Sequence, residues 1–373
     1  MSPPGLTPGD PVFNFTGRNA ANPRFAFDTL AGRWVMVLLP GSLAEPGKPE
    51  RLAEMLAAGA HMLGPAQAML VTIGTDPADE QAGRLADGYA RRVLWDDDGS
   101  ARRALKATHP DGTAWEGWVL LDPMLRVFSI WPFDRGAEAM ATLAALPPPE
   151  AHAGTALSAP ALIVPRIFEP DFCRELIAFY EAKGGGESGF MRDVDGKTIG
   201  TLDPSVKRRR DAVIEDAALQ AAIRTRIGGR LLPEIWRAFN FRVTRIERYI
   251  VSCYDEADRG FFSQHRDNAN LGTAHRRFAV TINLNTGDYE GGELCFPEFG
   301  LRTYVAPAGG AVVFACGLMH EARPVTKGRR YACLPFLYDE EGERIRLANQ
   351  RFLGANDALR LPPGPPAGDR PTA

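Results

Sequence analysis

Cysteine is scarce. There are five in 373 residues, none lies before position 173, and no pair forms a Cys-x-x-Cys. An odd number at scattered spacing excludes a secreted disulfide framework. Of Cys173, Cys253, Cys295, Cys316 and Cys333, four sit in strand-like apolar stretches and are expected to be small buried hydrophobes. Long apolar runs are missing as well, and none approaches the roughly 20 residues that cross a bilayer, so no membrane partner is expected. Positive charge is not in excess: 43 Lys and Arg against 46 Asp and Glu leave a formal net charge of -3. That balance gives no broad field for a phosphate backbone, so no nucleic-acid partner is expected. Met1-Ser2-Pro3-Pro4-Gly5 carries no basic stretch running into an apolar core, so no secretory signal is read and a soluble, cytoplasmic protein is expected.

What is present is ordinary globular composition, 45% hydrophobic and 24% charged, at a length that suits two domains. Leu146-Pro147-Pro148-Pro149-Glu150 marks the break, because consecutive prolines continue neither a helix nor a central strand. The organisation read from this is a first domain over 1–146, a semi-rigid linker over 147–160, a second domain over 161–345, and a C-terminal extension over 346–373. The Pro/Gly-rich stretch 361–373 makes that extension partly disordered in expectation.

The first domain alternates strand and helix signals. Apolar runs over 34–39 and 68–73 suit strands buried on both faces, and 93–95 suits a short third strand. Helices are expected over 48–63 (apolar at Leu52, Met55, Leu56 and Met62), 79–89 and 136–146. Residues 118–122 and 126–131 flank Asp122-Pro123-Met124 as a hairpin. This order, with Gly9-Asp10-Pro11-Val12-Phe13-Asn14-Phe15 and Leu30-Ala31-Gly32-Arg33-Trp34-Val35-Met36-Val37, resembles the peroxiredoxin branch of the α/β thioredoxin fold over residues 6–146. That family places a reactive Cys where a helix N-terminus favours its thiolate. Its Pro-Thr-Cys pattern aligns here with Pro40, Ala44 and Gly47. Both reactive side chains are absent, so the resemblance implies a redox-inactive domain used for protein docking or scaffolding.

The second half opens with an expected amphipathic helix over 170–183 and a longer helical region over 217–239. From Arg242 onward short strands are separated by turn signals at 255–260, 285–292, 297–300, 307–310 and 327–328, which suggests antiparallel sheets in a sandwich or barrel. The chain has only six histidines: His61, His109, His152, His265, His275 and His320. In His265-Arg266-Asp267, strand alternation lets His265 and Asp267 face one metal while Arg266 points away. His320 follows the apolar strand 311–315 and offers a third ligand. Two imidazoles and one carboxylate on one face of an octahedron suit Fe(II), whereas zinc favours a tetrahedral set. His275, beside Arg276 and Arg277, is the local competitor and is read as a surface or loop residue.

Three further stretches carry a second resemblance: Gly291-Gly292-Glu293-Leu294-Cys295-Phe296-Pro297-Glu298, Pro307-Ala308-Gly309-Gly310-Ala311-Val312-Val313-Phe314, and His320-Glu321-Ala322-Arg323-Pro324-Val325-Thr326-Lys327-Gly328-Arg329-Arg330-Tyr331. Residues 160–345 resemble the prolyl 4-hydroxylase-like Fe(II)/2-oxoglutarate dioxygenases. The resemblance implies a double-stranded β-helix (jelly roll) with flanking helices, and His265, Asp267 and His320 as iron ligands. It implies a basic residue that pairs with the far carboxylate of 2-oxoglutarate. Arg330 and Arg329 compete for that place, and alternation favours Arg330, which shares parity with Ala332, Leu334 and Phe336. Tyr254 and Asn283 are implied cosubstrate contacts. Tyr254 also reads as a core aromatic, and relatives often carry a hydroxyl side chain at the position of Asn283. Arg210 and Asp211 resemble a segment over the active-site mouth, with a solvated basic turn as the other reading. The implied chemistry uses O2 and 2-oxoglutarate to hydroxylate an unactivated C–H bond, with ascorbate as a reductant. Asp267 favours hydroxylation, because halogenating relatives have a small residue there. A peptide or protein substrate, prolyl or otherwise, is favoured over a free amino acid or small metabolite; a non-enzymatic interaction module with a vestigial barrel is the third reading.

Overall fold

The computed structural model describes residues 5–354 apart from 21, 60 and 62. The Pro/Gly stretch 361–373 and Met62 therefore lie outside the described residues. Backbone contacts divide the chain into two units, one of residues up to 158 together with 297–301, the other of 159–296 and the residues from 302 onward.

In the first unit, runs of buried side chains make three strands, Trp34–Leu39 (β1), Ala68–Gly74 (β2) and Gly117–Leu121 (β4), that tolerate water on neither face. With Arg91–Trp95 (β3) and Val127–Pro132 (β5) they form one mixed sheet in the order β3-β2-β1-β4-β5. β1, β2 and β3 run parallel, and β4 and β5 are antiparallel additions. Lys48–Gly59 (α1) packs on Gly136–Ala144 (α4), and a short helix, Ser100–Ala104 (α3), follows β3. Gly136 permits that approach, since a Cβ there would meet the Met55 sulfur at 2.4 Å and the Trp118 ring at 2.6 Å. The helix expected over 79–89 is shorter than read: only Pro77–Gln81 (α2) forms, capped by Asp76. Gly83, at φ +62, turns the chain out of the helix two residues on. Pro147 stays with this unit, its carbonyl accepting from Trp34 Nε1 at 2.8 Å.

The second unit starts with Leu162–Val164 (β6) and the helix Pro170–Lys183 (α5). The region 217–239 is helical but not uniformly α. Between Ala217–Arg226 and Leu232–Phe239 lies a π turn, Ile227–Leu231. Pro233 lacks the N–H that an α-type bond would need, and the wider turn absorbs the mismatch. Ile223, Ile227, Leu231 and Ile235 keep one buried stripe through it.

Most strands of this unit form two open antiparallel sheets, beside two two-stranded pairs, Phe190–Val194 with Lys197–Thr201 and Glu290–Gly291 with Val325–Lys327. A nine-stranded sheet contains, in spatial order, Arg245–Glu247, Phe336–Tyr338, Phe278–Asn283, Arg329–Cys333, Ile250–Asp255, Arg210–Val213 and Gly186–Glu187, with Ala311–Ala315 and β6 branching from Phe278–Asn283. A five-stranded sheet runs Lys207–Arg208, Phe261–His265, His320–Ala322, Leu294–Cys295, Thr303–Tyr304. Among the described residues these strands do not close into a barrel, which is a coarser architecture than the jelly roll the sequence suggests. All five cysteines are free and buried. No described helix is long and apolar enough to cross a membrane.

Candidate metal centre

Strands Phe261–His265 and His320–Ala322 are antiparallel neighbours, with Phe262 opposite Ala322 and His265 opposite His320. Three steps along the first strand thus match two along the second, a β-bulge. Strict alternation would send Phe262 and His265 to opposite faces, and the extra residue lets both reach the same cavity. Asp267 lies just past the strand end rather than on it. Its N–H donates to the Cys316 carbonyl at 3.0 Å, which carries the pairing on far enough to aim the carboxylate at both imidazoles.

Each histidine has its Nδ1 against a backbone carbonyl, His265 on Ser263 at 2.7 Å and His320 on Leu318 at 3.0 Å. A carbonyl only accepts, so both Nδ1 atoms carry the proton and both Nε2 lone pairs turn inward. His265 Nε2 lies 3.5 Å from one Asp267 oxygen and His320 Nε2 lies 3.3 Å from the other. One ligand atom from each of the three residues falls within 4.8 Å of the others. Ligands about 2.1 Å from one ion at right angles stand roughly 3 Å apart, so the set closes on a metal with little movement.

Charge suits a cation here. Burial opposes ionisation of Asp267, but His320 and His265, with Arg276, hold its carboxyl well below the usual range. Burial and the neighbouring His265 push the His320 pKa down to about 4, against the pull of Asp267, so its lone pair is free at neutral pH. Phe262 stacks on His265 at 3.5 Å and Phe314 sets an edge on His320 at 4.5 Å, which keeps the site apolar around its ligands.

A cavity of about 470 Å³ holds this cluster and is lined from both sheets. Arg330 projects into it, 2% exposed, with one bond to a side chain, Nη2 to Asn283 Oδ1 at 3.2 Å, and its guanidinium over the Tyr254 ring at 5.0 Å. Its Nε is buried without a partner, and among the described residues it makes no ion pair. A buried, under-satisfied guanidinium is costly unless an anion completes it. Arg329 points the other way, 54% exposed, pairing with Asp255 at 2.8 Å and Glu181 at 3.5 Å.

The remaining sequence candidates separate. Tyr254 lines the cavity opposite Arg330 in the register. Asn283 does not line it. Its Oδ1 holds Arg330 and its Nδ2 donates to the Ala306 carbonyl at 3.1 Å, so it positions the arginine. Two residues back on the same face, Thr281 brings a hydroxyl to the wall. Asp211 lines the cavity, whereas Arg210 is exposed and outside it. Arg209 takes the inward place, donating to Asp211 Oδ2 at 2.7 Å, and Lys207 points in as well. Alternation along Lys207-Arg208-Arg209-Arg210-Asp211 was the signal for these three. His275, expected at the surface, is 2% exposed, because its Nε2 meets Glu247 at 2.7 Å inside the sheet. Arg276 and Arg248 are further cavity cations that the motifs do not single out.

No family model matches the chain. Curated relatives include PKHD-type hydroxylases of Acaryochloris marina (30% identical, 37% of this chain and 63% of that one) and Maricaulis maris (30% identical, 39% and 65%). Another is a PKHD-type hydroxylase of Verminephrobacter eiseniae (33% identical, 29% and 47%). The chain thus spans about half to two thirds of the length of these relatives. Similar solved structures include a Trichoplax adhaerens prolyl hydroxylase in complex with a hypoxia inducible factor peptide fragment (17% identity, 50% of this chain and 87% of that one, TM-score 0.38). A Pseudomonas putida prolyl-4-hydroxylase gives 16% identity, 48% and 93% coverage and a TM-score of 0.35. On the N-terminal part, peroxidoxin BcpB of Mycobacterium tuberculosis gives 19% identity, 38% and 99% coverage and a TM-score of 0.31.

Proposed function

We propose that residues 161–345 are an Fe(II)- and 2-oxoglutarate-dependent dioxygenase domain that hydroxylates an unactivated C–H bond. The observation that carries this is the convergence of His265, Asp267 and His320 within one cavity that also presents the unpaired Arg330. In this reading the nine- and five-stranded sheets are the two halves of a double-stranded β-helix, and the bulge before His265 aims the ligand strand between them. The three side chains hold the metal on one face. Arg330, steadied by Asn283, receives the far carboxylate of 2-oxoglutarate through its planar fork. Tyr254 flanks that cosubstrate, and Phe262, Phe314 and Leu294 exclude water from it. With iron and cosubstrate bound, the site supplies oxidising chemistry in which O2 and 2-oxoglutarate yield succinate, carbon dioxide and a hydroxylated product, with ascorbate as a supporting reductant. Asp211, held by Arg209, Ser188 and Ser252, borders the place where substrate enters. A residue of a peptide or protein is the favoured substrate class, recruited by the redox-inactive domain over 1–146, with a small metabolite as the alternative.

The test is uncoupled turnover. With Fe(II), ascorbate and 2-oxoglutarate in air the protein should release succinate, and Asp267→Ala should lower the rate about a hundredfold or more. An unchanged rate in that variant contradicts the reading.

A further inference from the structure

The cavity holds a second arginine that makes no ion pair among the described residues, with the Asp211 and Glu247 carboxylates acting on it only from a distance. Arg248 sits between Arg245–Glu247 and Ile250–Asp255 and lines the same space as the iron-ligand cluster and Arg330. Of its neighbours in that space, Arg209 is answered by Asp211 at 2.7 Å and Arg276 by Glu247 at 2.5 Å, while Lys207 donates to the Ser188 hydroxyl at 2.8 Å and the Gly189 carbonyl at 2.5 Å. Arg248 has no such carboxylate. Its Nε and Nη2 both donate to the single Leu334 carbonyl, at 3.2 and 3.0 Å, and its guanidinium lies over the Phe336 ring at 4.4 Å. That leaves Nη1 without a bond on a half-buried side chain that reaches solvent through the cavity. Burial, with Arg209 and Arg276 nearby, lowers its pKa to about 10, so it remains charged at neutral pH.

The backbone points the same way. Arg248 has φ +69, a left-handed conformation that is costly for a long side chain and is kept where the surroundings enforce it. Strands Ile250–Asp255 and Arg329–Cys333 set the spacing. Tyr254 is opposite Arg330, while Arg248 is fixed to Leu334, four residues or roughly 13 Å further along the strand. Ile250, Ala332 and Leu334 pack as a small apolar cluster, of which Ile250 and Leu334 line the cavity. The charges of ferrous ion and 2-oxoglutarate would offset each other, so the cosubstrate would bring Arg248 no ion-pair partner of its own.

We propose that Arg248 receives an anionic group of the primary substrate, a carboxylate or a phosphate, and thereby selects an acidic substrate over a neutral one. This rests on the dioxygenase reading and deepens it. The cavity then carries two anion receptors, Arg330 for the cosubstrate and Arg248 for the substrate.

The experiment is calorimetric titration of the anaerobic protein loaded with Fe(II) and 2-oxoglutarate. The probes are inorganic phosphate, N-acetylglycine and the neutral N-acetylglycinamide. At least one anion should bind about tenfold or more tightly than the amide, and the phosphate and carboxylate arms identify which group fits. Arg248→Gln keeps a donor for the Leu334 carbonyl and removes the charge. It should weaken the anion about tenfold or more while 2-oxoglutarate affinity stays within about twofold. Arg248→Lys, which keeps the charge, should retain anion binding within about tenfold, and it serves if the glutamine variant does not fold. Equal binding of acid and amide, no anion binding by the wild type, or unchanged anion affinity in Arg248→Gln overturns the proposal. So does loss of the anion in a folded Arg248→Lys protein, or a loss of 2-oxoglutarate affinity in Arg248→Gln. Failure of the wild type to bind 2-oxoglutarate would instead sink the dioxygenase reading, and anion binding remains measurable without it.

Discussion

Lys48 in the N-terminal unit and Arg330 in the C-terminal unit are equally buried cations, each 2% exposed, and they differ in what answers them. Lys48 opens α1, directly after Gly47, the position where the peroxiredoxin pattern would carry its reactive Cys. Its Nζ donates to Glu116 at 2.7 Å and Glu45 at 3.5 Å, and it lies 5.2 Å from the Phe133 ring centroid. The charge is answered by carboxylates within the unit. Arg330 has an amide oxygen and an aromatic face, but no carboxylate. A buried pair is a piece of structure; a buried charge without its partner is a place held for something that arrives.

That contrast can be broken at either end. The largest effect is expected from Arg330→Ala, which should weaken 2-oxoglutarate about a hundredfold with metal binding largely intact, measured by calorimetry. Arg329→Ala should stay within about twofold, since its pairs are exposed and screened; equal loss from both variants would reverse their roles. The smallest effect belongs to Lys48→Met. It keeps the volume and leaves Glu116, 35% exposed, able to rehydrate, so thermal stability should move by about 1 kcal/mol or less. Turnover should not change, and a loss comparable with Arg330→Ala would show that the Lys48 site is not closed.

How much of this was legible in the sequence follows from which rule governed each residue. Continuous apolar runs announced β1 and β2 because both faces of a central parallel strand are covered, and the α5 boundaries, Pro170 and Lys183, followed from its first-turn proline and the glycines beyond. Alternation separated Arg330 from Arg329, because their strand is regular. It was less secure one strand away, where the bulge between Phe262 and His265 shifts the register. Arg209 was readable by the same alternation, but the motif drew attention to Arg210. Arg248 was not readable at all. Its place depends on a left-handed backbone and on a carbonyl 86 residues away in sequence, and neither leaves a local signal. The short α2 belongs with it, since one left-handed glycine decided its end.

The most direct test of the central claim is anaerobic visible absorption on adding Fe(II) and 2-oxoglutarate to the full chain. A weak charge-transfer band should rise in the wild type and be absent in His265→Ala, whose Nε2 is one of the three inward donors. A band of equal strength in that variant, or none in the folded wild-type protein, would contradict it.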